Sequence, residues 1–405
     1  MNTITVVDAR MGRGKSSAAI RYMNRYKDSK RFLYITPYLD EVGRICERCD
    51  FDQPDSDHMS KSTELKLHMR LGHNIAATHS LFYLMDTEAL ELVRQKHYSL
   101  IVDESIQVIE RLNITNKDFD LIINQLATEN DDGRIEWLDD SYTGRFYDYK
   151  EMANTGSLFR LDSALLNILN PELLRSFDEV FMLTYLFDGQ YQKAYLDFFG
   201  FDYNIIGVEQ DESGYRFSDR PDAPPTLDYR ELIRIVDDPK LNAVGDKHYA
   251  LSKAWYDRRG YDNPEIRKLR NGLKKFFQSI PDGSSETRLW SCFKSDVNKL
   301  VDSRTGRFRN NFLQTSARAT NQYKSRTDIA YMVNRFADPN IMKFFAKQNV
   351  TIDPEHFALS EMLQWIWRSA IRDDKPINLY IPSRHMRELL INWINTTNQG
   401  GCPIE

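Results

Sequence analysis

Residues 9–16 read Ala-Arg-Met-Gly-Arg-Gly-Lys-Ser and follow directly on the apolar run Ile4-Thr5-Val6-Val7. That order matches a phosphate-binding loop, GxxxxGK[ST], with Ala9 in the first glycine slot. The chemistry follows from the geometry such a segment adopts. A strand ends, successive backbone N–H groups turn inward, and a helix starts on the far side, so an anion meets both the N–H groups and the positive helix end. Gly12 and Gly14 allow the left-handed backbone and close approach that this curl needs. The expected ATP-contacting set is Ala9, Gly12, Arg13, Gly14, Lys15, Ser16 and Ser17. Lys15 is expected to reach the β- and γ-phosphates and the Ser16 hydroxyl to ligate Mg²⁺.

A second group lies at Leu100-Ile-Val-Asp103-Glu104, an apolar strand ending in two adjacent carboxylates. Asp103 is the expected partner of Ser16 in the Mg²⁺ shell, and Glu104 the group that polarises an attacking water. A third is Gln364-Trp-Ile-Trp-Arg368-Ser-Ala-Ile-Arg372. On a continuous helix Gln364, Arg368 and Arg372 would share one face, a stripe able to neutralise charge on a γ-phosphoryl group. Trp365 and Trp367 are expected to pack rather than to stack on bases.

These groups need elements to hold them. In the first 105 residues short apolar strands alternate with helices: strands at 4–7, 31–36, 74–78 and 98–104, helices near 14–26, 41–47, 61–72 and 80–95. The pattern predicts a parallel sheet covered on both faces, with ligands at the carboxyl ends of its strands. Residues 106–175 are more polar and read as a mostly helical insertion, interrupted by the acidic turn Asn130-Asp-Asp-Gly133. The sheet resumes at 179–187, and a second α/β region contains candidate strands at 288–293, 311–315 and 377–381.

Length and composition agree. A chain of 405 residues exceeds one ordinary core, so two domains are expected, 1–200 and 201–405. With 28% charged and 41% hydrophobic residues, no membrane-length apolar run, no leader pattern and four cysteines that do not suggest a disulfide framework, the expected setting is cytoplasmic, away from membranes. A net charge of −5 argues against a uniformly basic nucleic-acid binder, but not against a local basic groove such as 253–275.

Taken in order, the phosphate loop, Tyr34-Ile-Thr-Pro37, Ala77-Thr-His-Ser80, Ile101-Val-Asp-Glu104, Leu183-Thr-Tyr185 and Gln364 to Arg372 resemble the motif series of superfamily-two helicases of the DEAD-like type. Phage-encoded DNA helicases are nearest in style, through Asn74 to Phe82, Ala317 to Asn321 and Tyr380 to Ser383. The phosphate loop is also similar to that of herpesvirus-type origin-binding helicases. The resemblance implies an α/β protein of two RecA-like P-loop NTPase domains, with ATP and Mg²⁺ bound between them and nucleic acid, DNA favoured over RNA, crossing both.

By the same resemblance Gln364 and either Arg368 or Arg372 sense the γ-phosphate, and Thr184 couples hydrolysis to movement. Thr36, Thr78, His79, Arg318 and Asn321 then contact nucleic acid. The implied activity is that of an ATP-dependent motor or helicase in viral or prophage DNA replication, with other replication proteins as further partners. Three departures stand out: no glycine precedes Arg368, Leu183-Thr-Tyr replaces Ser-Ala-Thr, and no adenine-reading glutamine motif precedes the loop. A nucleotide-gated DNA-binding or loader protein, and a terminase-like packaging ATPase, are the alternatives. Cys46-Glu-Arg-Cys49 with His68 and His73 imitates a zinc finger, but the 18 residues between Cys49 and His68 exceed the usual span, so the thiols read as incidental.

Overall fold

The computed structural model describes residues 3–56, 59–222, 225, 227–281, 283–302, 305–315 and 321–398. Two compact units emerge: Met1–Ala9, Lys15–Pro221 and Ala337–Ile352 form the first, and Arg10–Gly14, Asp222–Phe336 and Asp353–Glu405 the second.

The first unit is built on seven strands: β1 (Ile4–Asp8), β2 (Arg31–Thr36), β3 (Ile75–Thr78), β4 (Tyr98–Asp103), β5 (Glu179–Thr184), β6 (Tyr203–Asp211) and β7 (Gly214–Ser218). They lie in the order β7-β6-β1-β5-β4-β2-β3, with only the edge pair β6–β7 antiparallel. The central strands are continuous apolar runs because both faces are covered. Val6, Val7, Leu33, Ile35, Leu100, Val102 and Met182 are all fully enclosed. Helix α1 (Lys15–Tyr26) lays Ala18, Ala19 and Met23 against the sheet. Where a boundary was expected at residue 200, the sheet instead runs on through the β6–β7 hairpin to Ser218.

Register decides what the sheet presents. β5 lies between β1 and β4 and pairs Asp8 with Thr184 and Asp103 with Leu183. The carboxyl ends of three strands distant in sequence therefore finish level.

The segment 106–175 is mixed rather than mostly helical. Ile109–Arg111, Ala164–Ile168 and Leu158–Leu161 form a three-stranded antiparallel sheet, and Ala127–Glu129 pairs with Ile135–Trp137. The acidic turn that looked like a break between helices joins the two strands of that hairpin. Strands of three to five residues carry too few alternations for a period-two signal to stand out. The segment has its own core, with Phe119, Ile122, Trp137, Phe146 and Leu165. Residues 337–352 also belong to the first unit: Ile341, Phe344 and Phe345 of helix Pro339–Ala346 join its main core.

The second unit holds four parallel strands, β8 (Ile233–Ile235), β9 (Arg288–Ser291), β10 (Asp328–Tyr331) and β11 (Ile377–Tyr380), in the order β8-β11-β10-β9. The expected strand at 311–315 is not formed. A short 3₁₀ turn, Arg309–Asn311, is followed by a lone bridge from Phe312 to Trp290. β10 was illegible because it opens on a buried aspartate, Asp328, which accepts hydrogen bonds from Thr287 Oγ1 at 2.7 Å and Asn378 Nδ2 at 2.9 Å. A satisfied buried acid interrupts the apolar run by which a central strand is read.

One close approach in this unit tolerates no side chain. A Cβ on Gly245 would lie 1.9 Å from the Pro382 carbonyl oxygen and 2.4 Å from its carbon. Both are backbone atoms, so neither can rotate away. Gly245→Ala is expected to destabilise the chain by about 1–3 kcal/mol, the range for forced overpacking. Denaturant unfolding of the purified variant checks this, and an unchanged midpoint refutes it.

Candidate functional site

Gly12 and Gly14 both take positive φ, +79° and +77°, and α1 begins at Lys15. This is the curl anticipated from the spacing. The Ala9 N–H donates to the Thr184 carbonyl at 3.1 Å, which ties the start of the loop to the end of β5. Lys15 folds its Nζ back onto the Ala9 carbonyl. Ser17, the next residue, is exposed, whereas Ser16 is half-buried. Arg10, Arg13 and Asp222 converge within the second unit: the Arg10 N–H and Nε donate to one Asp222 oxygen at 3.1 and 2.8 Å, and Arg13 Nε lies 3.5 Å from the other.

The structure brings Ser16 and Asp103 together. Ser16 Oγ donates to Asp103 Oδ2 at 3.0 Å across a separation of 87 residues. The same oxygen accepts from Tyr34 Oη at 2.5 Å. Burial first, and the neighbouring Asp103 carboxylate second, push the Tyr34 phenol well above its ordinary range, so it remains a donor. Nothing in the strand pattern marks Tyr34, which appears as one more apolar position of β2.

Glu104 follows with φ +64°, its N–H donating to the Leu183 carbonyl at 3.2 Å. A left-handed conformation in a residue other than glycine costs on the order of 1–3 kcal/mol, and such outliers cluster at functional sites. Asp8, at the end of β1, accepts from the N–H groups of Leu186 at 2.9 Å and Phe187 at 3.1 Å. Burial raises its pKa, against the downward pull of the Phe187 N–H, of Lys15 and of the Leu186 N–H.

Thr184 is buried in a hydroxyl network. Its Oγ1 and Ser105 Oγ each donate to Gln190 Oε1 at 2.9 Å, while Gln190 Nε2 donates to the Tyr185 carbonyl at 2.8 Å. Ser105 and Gln190 were not anticipated. Neither carries a motif, and only the fold makes them neighbours of Thr184.

The expected stripe of Gln364, Arg368 and Arg372 does not exist as a helical face. The helix Pro354–Ile366 stops two residues before Arg368, and Arg372 lies on a separate 3₁₀ turn, Ala370–Asp373. Packing breaks the period. Trp367 sets its indole edge-on against Tyr229 and Trp393, both with ring centres 5.4 Å away, and Ser369 Oγ returns to the Ile366 carbonyl. Gln364 is half-buried, Arg368 buried and Arg372 exposed. Trp365 and Trp367 are both core residues, as anticipated.

The residues expected to touch nucleic acid from the first unit are mostly enclosed. Thr36 and His79 are buried, and His79 Nε2 donates to the Asp103 carbonyl at 3.0 Å. Thr78 Oγ1 caps the next helical turn by accepting from the Leu81 N–H at 3.3 Å. Strand-end position was visible in the sequence, but burial was not. Arg318 lies outside the described residues, as does the side chain of Asn321. In the second unit Arg267, Lys268, Lys274 and Lys275 are exposed on helix Pro264–Ser279, opposite its buried Ile266, Leu269, Leu273 and Phe276.

Known proteins support this architecture. The family model described as the YonV C-terminal Rossmann-like domain matches residues 227–394, and that of the YonV middle domain matches residues 109–167. The SPbeta prophage-derived protein YonV of Bacillus subtilis (strain 168) is 35% identical over 414 residues, covering 97% of this chain and 99% of that protein. A solved structure titled XPD helicase matches with a TM-score of 0.52 at 10% identity, covering 96% of this chain and 95% of that one. S. tokodaii Xpd4 matches with a TM-score of 0.53 at 12% identity, covering 96% and 94%. At such identities the likeness is one of fold, an α/β two-domain helicase fold with a large parallel sheet and a Rossmann-like domain. The matched folds are those of XPD-type proteins and lend nothing to the herpesvirus-type similarity.

The Gln190 network gives a direct test. Gln190→Ala removes the acceptor shared by Ser105 and Thr184 and strands buried polar groups. The expected cost is about 1–3 kcal/mol of stability. Equilibrium unfolding measures it, and a loss below the error of the midpoint means the network contributes nothing.

Proposed function

This chain belongs to the YonV family, and we propose that it is an ATP-driven nucleic-acid motor of the helicase type serving phage or prophage DNA replication. The observation that carries the proposal is the Ser16–Asp103 contact at 3.0 Å beside a glycine-curled loop ending in Lys15. A hydroxyl and a carboxylate, both hard oxygen donors, are what Mg²⁺ selects. Ser16 and Asp103 would hold that ion, whose contribution when bound is to neutralise phosphate charge. Tyr34 keeps the Asp103 carboxylate oriented.

In this reading the loop N–H groups and Lys15 bind the β- and γ-phosphates, and leaving the Ala9 carbonyl frees the Lys15 ammonium for that task. Glu104 accepts a proton from the attacking water. Gln364, Arg368 and Arg372 sense the γ-phosphate, with Arg372, the exposed one, as the stronger contributor. Thr184, bonded through Gln190 to Ser105, passes the state of the nucleotide to the rest of the first unit. The exposed cations of helix Pro264–Ser279, with Thr78, Arg318 and Asn321, engage phosphates of the strand, giving affinity with little sequence preference. DNA is favoured over RNA because the family includes a prophage protein. Other replication proteins are the natural partners of such a motor. Among the described residues no helix is long and apolar enough to cross a membrane.

ATP hydrolysis should rise when single-stranded DNA is added and exceed the rate with RNA or duplex. Lys15→Ala should lower that stimulated rate by at least ~100-fold while leaving the melting temperature unchanged, since an electrostatic clamp on the phosphoryl group is lost. Equal hydrolysis by the variant overturns the ATPase reading. Hydrolysis without stimulation by any polymer favours a loader over a motor.

Glu104→Gln should separate binding from chemistry. The amide keeps the size of the side chain but cannot serve as base. Nucleotide affinity, measured by fluorescence with a labelled ATP, should persist while turnover falls by about 100-fold or more. Joint loss of affinity and thermal stability would make Glu104 structural instead.

A further inference from the structure

Away from the phosphate loop, three side chains direct donor atoms at one point. Asp52 Oδ2 lies 2.6 Å from His73 Nδ1 and 3.5 Å from His68 Nδ1, and the two Nδ1 atoms are 3.2 Å apart. We propose that Asp52, His68 and His73 form a binding site for a zinc-class divalent cation, with solvent completing its coordination. The proposal is independent of the ATPase reading.

The donor set fits. Two imidazoles and one carboxylate suit a borderline ion such as Zn²⁺, whereas Mg²⁺ prefers oxygen ligands alone. Bonds of about 2.0–2.1 Å in a tetrahedron place ligand atoms roughly 3.3 Å apart. Two edges of the observed triangle already agree, and the third is a hydrogen-bonding distance that a small side-chain rotation opens. Without an ion, two ring nitrogens and a carboxylate face one another with only protons to share. An ion satisfies all three at once. The side chains of Asp52, His68 and His73 are 47%, 19% and 42% exposed, which leaves an entry path and room for water.

The backbone holds the three in place. Asp52 is tied beside β3: its N–H donates to the Asn74 carbonyl, and its own carbonyl accepts from the Ala76 N–H, both at 2.9 Å. His68 stands in the last turn of helix Lys61–Leu71. The His73 N–H donates to the His68 carbonyl at 3.1 Å, and Tyr98 Oη donates to the His73 carbonyl at 2.5 Å. A bound ion would therefore clip the chain between Asp52 and His73 into a closed loop against the sheet edge. The finger-like spacing that seemed to join His68 and His73 to the cysteines joins them to Asp52 instead. Cys49 is buried and Cys46 half-buried, and burial followed by the Asp52 carboxylate pushes the Cys46 thiol up.

The test is a Zn²⁺ titration of the full chain, stripped with a chelator, in excess Mg²⁺ and against a chromophoric competitor. One Zn²⁺ per chain is expected, together with a rise in melting temperature. Asp52→Asn, His68→Asn and His73→Asn should each weaken binding at least ~10-fold, since even outer-shell partners of metal ligands cost that much. The variants should melt like the stripped parent, so that only the Zn²⁺-induced rise is lost; a variant that melts lower is replaced by His68→Gln or His73→Gln. Cys46→Ser/Cys49→Ser should bind Zn²⁺ as the parent does. No binding, binding that survives His68→Asn/His73→Asn, or binding lost with the cysteines overturns the proposal. Lys15→Ala should leave the titration unchanged, which separates failure here from failure of the ATPase reading.

Discussion

The position of β5 between β1 and β4 is the constraint on which the candidate site depends. Parallel pairing fixes Asp8 opposite Thr184 and Leu183 opposite Asp103. A slip of one residue in either ladder would reverse every side chain of the slipped strand relative to its faces. The Ser16–Asp103 contact spans β5, because Ser16 is carried from the end of β1 by the loop and Asp103 ends β4. The Ala9 N–H then bonds to Thr184, and the Glu104 N–H to Leu183. β5 thus serves both neighbours as a template for where the chain must leave the sheet.

Fixing three strand ends brings polar groups together, with Tyr34, Asp103, Thr184 and Gln190 buried among them. Unpaired, each would cost on the order of 1–3 kcal/mol. The structure meets this locally. Asp8 takes two peptide N–H groups, Asp103 takes a phenol and a hydroxyl, and Gln190 serves Thr184 and Ser105. Tyr34 shows the economy of the arrangement: its ring fills an apolar position of the sheet while its hydroxyl reaches the carboxylate. Such groups rigidify the site because each has few alternative partners.

Much of the first unit was legible because its signals are local. The loop, the glycines that need positive φ, the apolar runs of β1 to β5 and the Asp103-Glu104 pair all lie in short windows of sequence. What stayed hidden depends on packing. The 3.6 period through Gln364, Arg368 and Arg372 was real in the sequence, but Trp367 found a better environment against Tyr229 and Trp393, and the helix ended. β10 was concealed by its satisfied Asp328, and the short strands of 106–175 by their length. His79 and Thr36 have the right types and places for surface contacts, yet the sheet buries them. Asp52 carries no spacing signal toward His68 and His73, since only its bridge to β3 brings it near.

The backbone at Glu104 links these points. In an extended strand consecutive side chains point to opposite faces, so two adjacent carboxylates cannot both serve one side of a sheet. At Glu104 the chain leaves the extended form by turning left-handed, a conformation that an L-residue adopts at a cost. The cost is offset where the neighbours leave no alternative. Asp103 is held by Tyr34, Ser16 and the register with β5, and the Glu104 N–H is already committed to Leu183. A glycine would relieve the strain but remove the carboxylate. An acid at a position where glycine is the less strained residue is a local conflict of the kind that clusters at functional sites, and the proposed role of Glu104 rests on it.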